Sequence, residues 1–164
     1  MAISDRGVTG NATYFVSASC WENRSVLQAD RMARLFVDVL LGYRAQQRYA
    51  LHEFVAMPNH FHLLITPALT LERAIQLIKG GFSFRAKKEL GYAGEIWQTS
   101  FHDRRVRDAV EYQRFRQYIW ENPVRRGLCE EPSAFEYSSA GGKYMLDGVP
   151  QRLKPLSCAA FMQA

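Results

Sequence analysis

The sequence predicts an α+β fold of the ferredoxin-like, split βαβ kind: a four-stranded antiparallel sheet with helices on one face, plus one additional helix after the last strand. Three observations carry this reading. Residue patterning changes along the chain in the order β-α-β-β-α-β-α, which is two βαβ units in series followed by a helix. The two middle strands are separated only by Pro58-Asn59, a compact turn signal that suits a hairpin. The 164 residues suffice for one substantial core and do not call for two. A single domain over residues 1–164 is expected, with its core at about 13–128 and a turn-rich tail over 129–164.

Each element has its own justification. Residues 1–11 are polar and contain glycine, a loose lead-in. Thr13 to Cys20 (TYFVSASC) is rich in aromatic and β-branched residues and reads as a strand. Ser25 to Gln47 is helical, with Leu27, Met32, Leu35, Phe36, Val39, Leu40 and Tyr43 at helical spacing and Ser25 as an N-cap. Tyr49–Met57 and His60–Thr66 follow as strands, the second closed by Pro67. Thr70 is a good N-cap for a helix whose apolar face is Leu71, Ile75, Ile78 and Phe82. Gly80-Gly81 inside that pattern should weaken or bend it. Glu95 to Val106 reads as a fourth extended segment. The last helix, from about Asp108 to Glu121, is expected to end where Pro123 disfavours its continuation.

Composition narrows the function classes. Lys and Arg outnumber Asp and Glu by 21 to 16, for a formal charge of +5. That excess favours polyanions, because each neutralised phosphate releases counterions, but it does not by itself identify nucleic acid. Three cysteines, Cys20, Cys129 and Cys158, lie far apart with no C-x-x-C, which argues against a disulfide framework or a cysteine zinc site. The longest apolar stretch, Leu35 to Leu41, is interrupted by Asp38 and is too short to span a bilayer. The first residues lack the layout of a signal peptide, so a cytoplasmic protein is expected.

Two groups of residues suggest chemistry. His60 and His62 sit two apart on a strand and share a face, where two imidazoles can converge on one metal ion. An exposed or hydrogen-bonded histidine pair has the same pattern. Tyr118 and Asn122 are four apart on the last helix, so they share a helical face beside the apolar stripe of Phe115 and Ile119. A tyrosine at the edge of a core and an asparagine at a helix end fit equally well. The acidic residues Glu53, Glu72, Glu95 and Asp103 are scattered, with no spacing that would unite them on paired metals.

The motifs Met57-Pro58-Asn59-His60-Phe61-His62-Leu63-Leu64, Trp97-Gln98-Thr99-Ser100-Phe101-His102-Asp103 and Tyr118-Ile119-x-x-Asn122-Pro123-Val124-x-x-Gly127-Leu128 resemble the single-tyrosine HUH transposases of the IS200-like kind. Among these the resemblance is strongest to the REP-associated tyrosine transposases. The tail Ala134-Phe135-Glu136-Tyr137-Ser138-Ser139 is also similar, with Phe135 where a Trp is commoner. The similarity runs from about Thr13 to Tyr144.

The resemblance implies that His60 and His62 bind a divalent metal, that Asn122 supplies a third ligand, and that Tyr118 is the nucleophile on a catalytic last helix. It implies cleavage and joining of single-stranded DNA near palindromic hairpin repeats through a 5′-phosphotyrosine intermediate. Ligand preference alone would favour zinc, nickel or copper at two imidazoles; the resemblance implies Mg2+ or Mn2+. Single-stranded and hairpin DNA are the implied partners, and monomer and homodimer both stay open. Candidate DNA-contacting basic residues fall in three runs: Lys79, Arg85, Lys87 and Lys88; Arg104, Arg105 and Arg107; Arg125 and Arg126. Each run also fits a solvated surface. Trp97 and Trp120 are candidate stacking platforms for bases, and a place in the core fits each equally well. Two other readings are a hairpin-DNA binder of this fold without chemistry, and an RNA-binding ferredoxin-like domain with no metal requirement.

Overall fold

The computed structural model describes residues 12–155, so Cys158 and the expected lead-in lie outside the described residues. Four strands, β1 (Tyr14–Ser19), β2 (Tyr49–Met57), β3 (His60–Pro67) and β4 (His102–Arg105), form one sheet in the order β2-β3-β1-β4. Every neighbouring pair is antiparallel, as the split βαβ reading requires. Helices α1 (Asp30–Ala45) and α2 (Leu71–Leu90) cover one face, where Phe61, Leu63 and Ile65 point. Helix α3 (Ala109–Arg125) crosses the other, over Val55, Met57 and Leu64.

The face under α1 and α2 is apolar. Phe36 of α1, Phe61 of β3, Phe82 of α2 and Trp97 pack ring against ring, with centroids 4.9 to 5.9 Å apart. Trp97 also donates its indole N–H to the Lys79 carbonyl at 3.1 Å. It is therefore a core residue and not a free platform for bases.

Several boundaries differ from expectation for identifiable reasons. Helix α1 begins at Asp30, not Ser25, because the Leu27 amide donates to the Pro58 carbonyl and ties residues 25–29 to the β2–β3 turn. Helix α2 starts as expected, with the Thr70 hydroxyl accepting from the Arg73 amide. It runs through Gly80-Gly81 to Leu90 without a break. A Cβ on Gly81 would come within 2.5 Å of the Tyr43 hydroxyl, so that glycine admits α1 to close range. Helix α3 runs past Pro123 to Arg125. A proline there forfeits one backbone bond within a turn of the helix end. The true stop is Gly127, left-handed at φ 72°, where the Gly127 and Leu128 amides close on Val124 and Pro123.

The fourth extended segment is the least regular. Ser17 pairs with His102, yet the Gln98 amide donates to the Ser19 carbonyl and Cys20 bridges to Trp97. A regular antiparallel ladder would set Ser19 opposite Ser100. The chain around Thr99–Phe101 therefore carries two extra residues, a bulge that shortens β4 to four residues.

Candidate active site

Because facing residues of an antiparallel sheet share a side, the pairings define what lies under α3. Val55, His62, Ser17 and His102 form one row across the four strands, with Glu53, Leu64, Phe15 and Arg104 in the next. A bulge at His52 in β2 brings His52 as well as Glu53 toward α3, where His52 meets the Tyr112 ring edge-on. This face buries the polar side chains of His52, Glu53 and His62, whereas the buried strand residues of the other face are hydrophobic.

His60 and His62 stand side by side with ring centroids 4.8 Å apart. Asn59 Oδ1 lies 2.7 Å from His60 Nδ1. An amide oxygen only accepts, so His60 carries its proton on Nδ1 and its lone pair on Nε2. Ser17 Oγ lies 2.6 Å from His62 Nδ1 and occupies the corresponding nitrogen of that ring. Burial drives both imidazoles toward the neutral form, His60 to about 4 and His62 to about 3, with Arg126 nearby adding to the shift in each. Both are neutral at physiological pH and so able to ligate.

Helix α3 supplies the opposite wall. Asn122 is buried beneath the helix rather than at its border, and its side chain lies against His60. Among the described residues, two buried side-chain polar atoms lack any hydrogen-bond partner: His62 Nε2 and Asn122 Oδ1. Leaving such atoms unpaired is costly, on the order of 1–3 kcal/mol each. Both belong to residues that the family resemblance implies as ligands. Two neutral nitrogens and an amide oxygen form a donor set that fits a divalent ion and leaves its charge unneutralised. No group of three or more His, Cys, Asp or Glu capable of holding a metal occurs among the described residues.

Tyr118 stands beside this set. Its ring is 5.3 Å from that of His62, edge to face, and 37% of the residue is exposed. Phe15 packs on His62 at 5.4 Å and on Phe115 at 4.5 Å, and meets Tyr118 edge-on at 5.8 Å. It is the spacer that sets the height of α3 above β1. The Arg125 guanidinium sits 5.5 Å from the Tyr118 ring centroid and also pairs with Glu121 at 3.1 Å. Trp120 donates its indole N–H to Glu53 at 2.8 Å, and the Ser139 hydroxyl donates to the same carboxylate oxygen. Trp120 thus pins α3 to β2 and is no stacking platform. Glu53 thereby supports the helix and the tail.

The basic runs separate. Arg125, Arg126 and Arg104 lie on the α3 side. Arg105 pairs with the core-facing Tyr14 and so points the other way, and Arg107 lies exposed just beyond β4. Lys79, Arg85, Lys87 and Lys88 belong to α2, across the sheet from Tyr118. Lys79 donates to the Gln98 and Ser100 carbonyls at 2.9 and 3.1 Å, and Arg85 pairs with Asp38 and Glu89. The α2 run therefore lies away from Tyr118.

Phe15, Ser17 and Asn59 were not marked as site residues by sequence. Phe15, Ser17 and Ser19 share one parity of β1, so alternation combined with the strand order could have placed them beside the histidines.

Comparison with known proteins agrees with this architecture. The model of the family "Transposase IS200 like" matches residues 11–122. The chain is 23% identical over 148 residues to the REP-associated tyrosine transposase of Escherichia coli K12, spanning 82% of this chain and 83% of that one. A solved structure of a REP-associated tyrosine transposase bound to a REP hairpin matches with a TM-score of 0.70 at 19% identity, covering 96% of this chain and 99% of the other. At that identity the likeness shows the fold.

Proposed function

Given that the chain belongs to the IS200-like transposase family, we propose that it cuts and rejoins single-stranded DNA beside hairpin repeats with Tyr118 as the nucleophile. The observation that carries this reading is the meeting of Tyr118 with His62 at 5.3 Å within one chain, next to two unpartnered buried ligand atoms. Hairpin DNA as partner is supported by the structurally similar transposase, which was solved bound to a REP hairpin.

In the proposed reaction the Tyr118 phenol oxygen attacks a backbone phosphorus. The bond from phosphorus to the 3′ oxygen breaks, the phenol proton is given up, and the departing 3′ oxygen takes up a proton. The DNA 5′ end is then held as a phosphotyrosine. Attack by a 3′ hydroxyl reverses each change and restores the phenol, so joining needs no nucleotide cofactor. His60, His62 and Asn122 would hold a divalent ion such as Mg2+ or Mn2+, which would supply positive charge beside the phosphate. Asn59 and Ser17 aim the two imidazoles, and Phe15 and Trp120 hold the phenol in register. Arg125 and Arg126 are suited to a phosphate on the open side of Tyr118. Because phenol and imidazoles come from one chain, this chemistry needs no exchange of helices between protomers.

The test is incubation with labelled single-stranded hairpin DNA and Mn2+ or Mg2+, followed by a denaturing gel. A protein-linked DNA band is expected with the wild type and not with Tyr118→Phe, which should still bind the DNA. No band with the wild type, or a band surviving in the variant, contradicts the reading; DNA binding without any band would favour a binding module.

A further inference from the structure

The two-residue bulge around Thr99–Phe101 opens a cavity of about 190 Å3 on the same side of the sheet as His60 and His62. Ser17 and Ser19 of β1 line it together with Asn23, Gln98, Phe101 and His102. Ser17 is also the residue that holds His62 Nδ1, so cavity and histidine pair share a wall one side chain thick. We propose that this cavity receives one unpaired nucleobase of the single-stranded flank, next to the phosphate that Tyr118 attacks.

The proposal rests on the DNA-cutting reading above and adds where sequence is read. Four observations support it. The volume lies below the roughly 300–1,000 Å3 of pockets for drug-sized ligands and suits a single ring system. The lining combines amides, hydroxyls, an imidazole and a phenyl ring without any carboxylate, which matches a neutral heterocycle carrying both donors and acceptors. The bulged wall is braced: Lys79 donates to both the Gln98 and Ser100 carbonyls, and the Gln98 amide donates to the Ser19 carbonyl at 3.0 Å. Glu22 and Asn23, the latter a lining residue, adopt left-handed backbone at φ 52° and 54°, a conformation that non-glycine residues take seldom. Bulges commonly re-aim side chains beside active sites. Here the bulge accounts for both the broken strand and the space. Gln98 and Asn23 are the reading residues, since side-chain amides can present a donor and an acceptor to one base edge.

The experiment selects binders, in chelator so that no cutting occurs, from a pool of hairpin oligonucleotides whose single-stranded flank is randomised. The wild type should fix one base at a single flank position. Gln98→Ala and Asn23→Gly, the glycine chosen to keep the left-handed backbone, should lose that preference about tenfold or more while still requiring the hairpin. Gln98→Glu exchanges one amide for a carboxylate with the same shape and should change the preferred base. Wild-type preference retained at every flank position in these variants overturns the proposal, as does a wild type with no flank preference. Covalent capture of the selected oligonucleotide by wild type but not Tyr118→Phe reports separately on the underlying reading.

Discussion

Phe61 and His62 are consecutive residues of β3, both buried, and they serve opposite ends. Phe61 points into a cluster with Phe36 and Trp97, its ring tilted against the first and edge-on to the second, and its own side chain has no polar atom to satisfy. His62 points under α3, where its Nε2 is buried without any partner. One face of the sheet is built for stability, the other carries unsatisfied polar groups that reduce it. The difference shows that α3 and its surroundings were arranged for something other than packing. The hydrogen bonds that Trp120 and Ser139 make to Glu53 then keep that helix in place despite the polar face beneath it.

The contrast between the faces can be broken from either side. On the packed face, Phe61→Ala should lower the unfolding free energy by about 3–5 kcal/mol, measured in urea, because it empties space that rigid neighbours do not refill. On the other face, His62→Ala should weaken divalent-metal binding at least about 100-fold by calorimetry. Its unfolding free energy in chelator should change by less than about 1.5 kcal/mol, since losing the contact with Phe15 is offset by removing an unpaired nitrogen. If the two variants behave alike, the faces are not specialised.

A third test uses protons. The His62 imidazole is held near 3 in the folded chain against an ordinary value of 6.5. The unfolded state therefore binds its proton first as pH falls. The stability it contributes is full above about pH 6.5 and is lost toward the folded value, at about 1.4 kcal/mol per pH unit once well inside that window. In chelator, wild-type unfolding free energy should fall more steeply between pH 6 and about pH 4 than that of His62→Gln. Equal slopes would mean that the imidazole is not held neutral.

The smallest effect sharpens the packed side alone. A Cβ added at Gly80 would meet nothing within 4 Å, whereas one at Gly81 would meet Tyr43. Gly80→Ala should raise stability by about 0.5–1 kcal/mol through helix propensity. Gly81→Ala should fail to do so because the Tyr43 ring must move. Thermal denaturation of the pair decides this.

The features legible in sequence are those that local physics writes locally. Alternation marked β1 to β3 and put His60 with His62 on one side. The four-residue spacing of Tyr118 and Asn122 put them on one helical face, and Thr70 marked the start of α2. Features that depend on distant partners were not legible. The bulge beside β4 reflects how Ser19 and Cys20 accept residues 97–98, which no pattern within 95–106 encodes. Ser17 matters because strand order sets it beside His62. Lys79 and Arg85 read as free charges until their partners, the Gln98 carbonyl and Asp38, come into contact from other segments. Pro123 read as a stop because its own lost bond is local, whereas Gly127 ends the helix four residues later.

The most direct test is to digest the protein–DNA adduct and locate the nucleotide by tandem mass spectrometry. The account predicts a single modified side chain, Tyr118, bearing the 5′ phosphate of the cut strand. A nucleotide on any other residue, or a 3′ linkage at Tyr118, would contradict it.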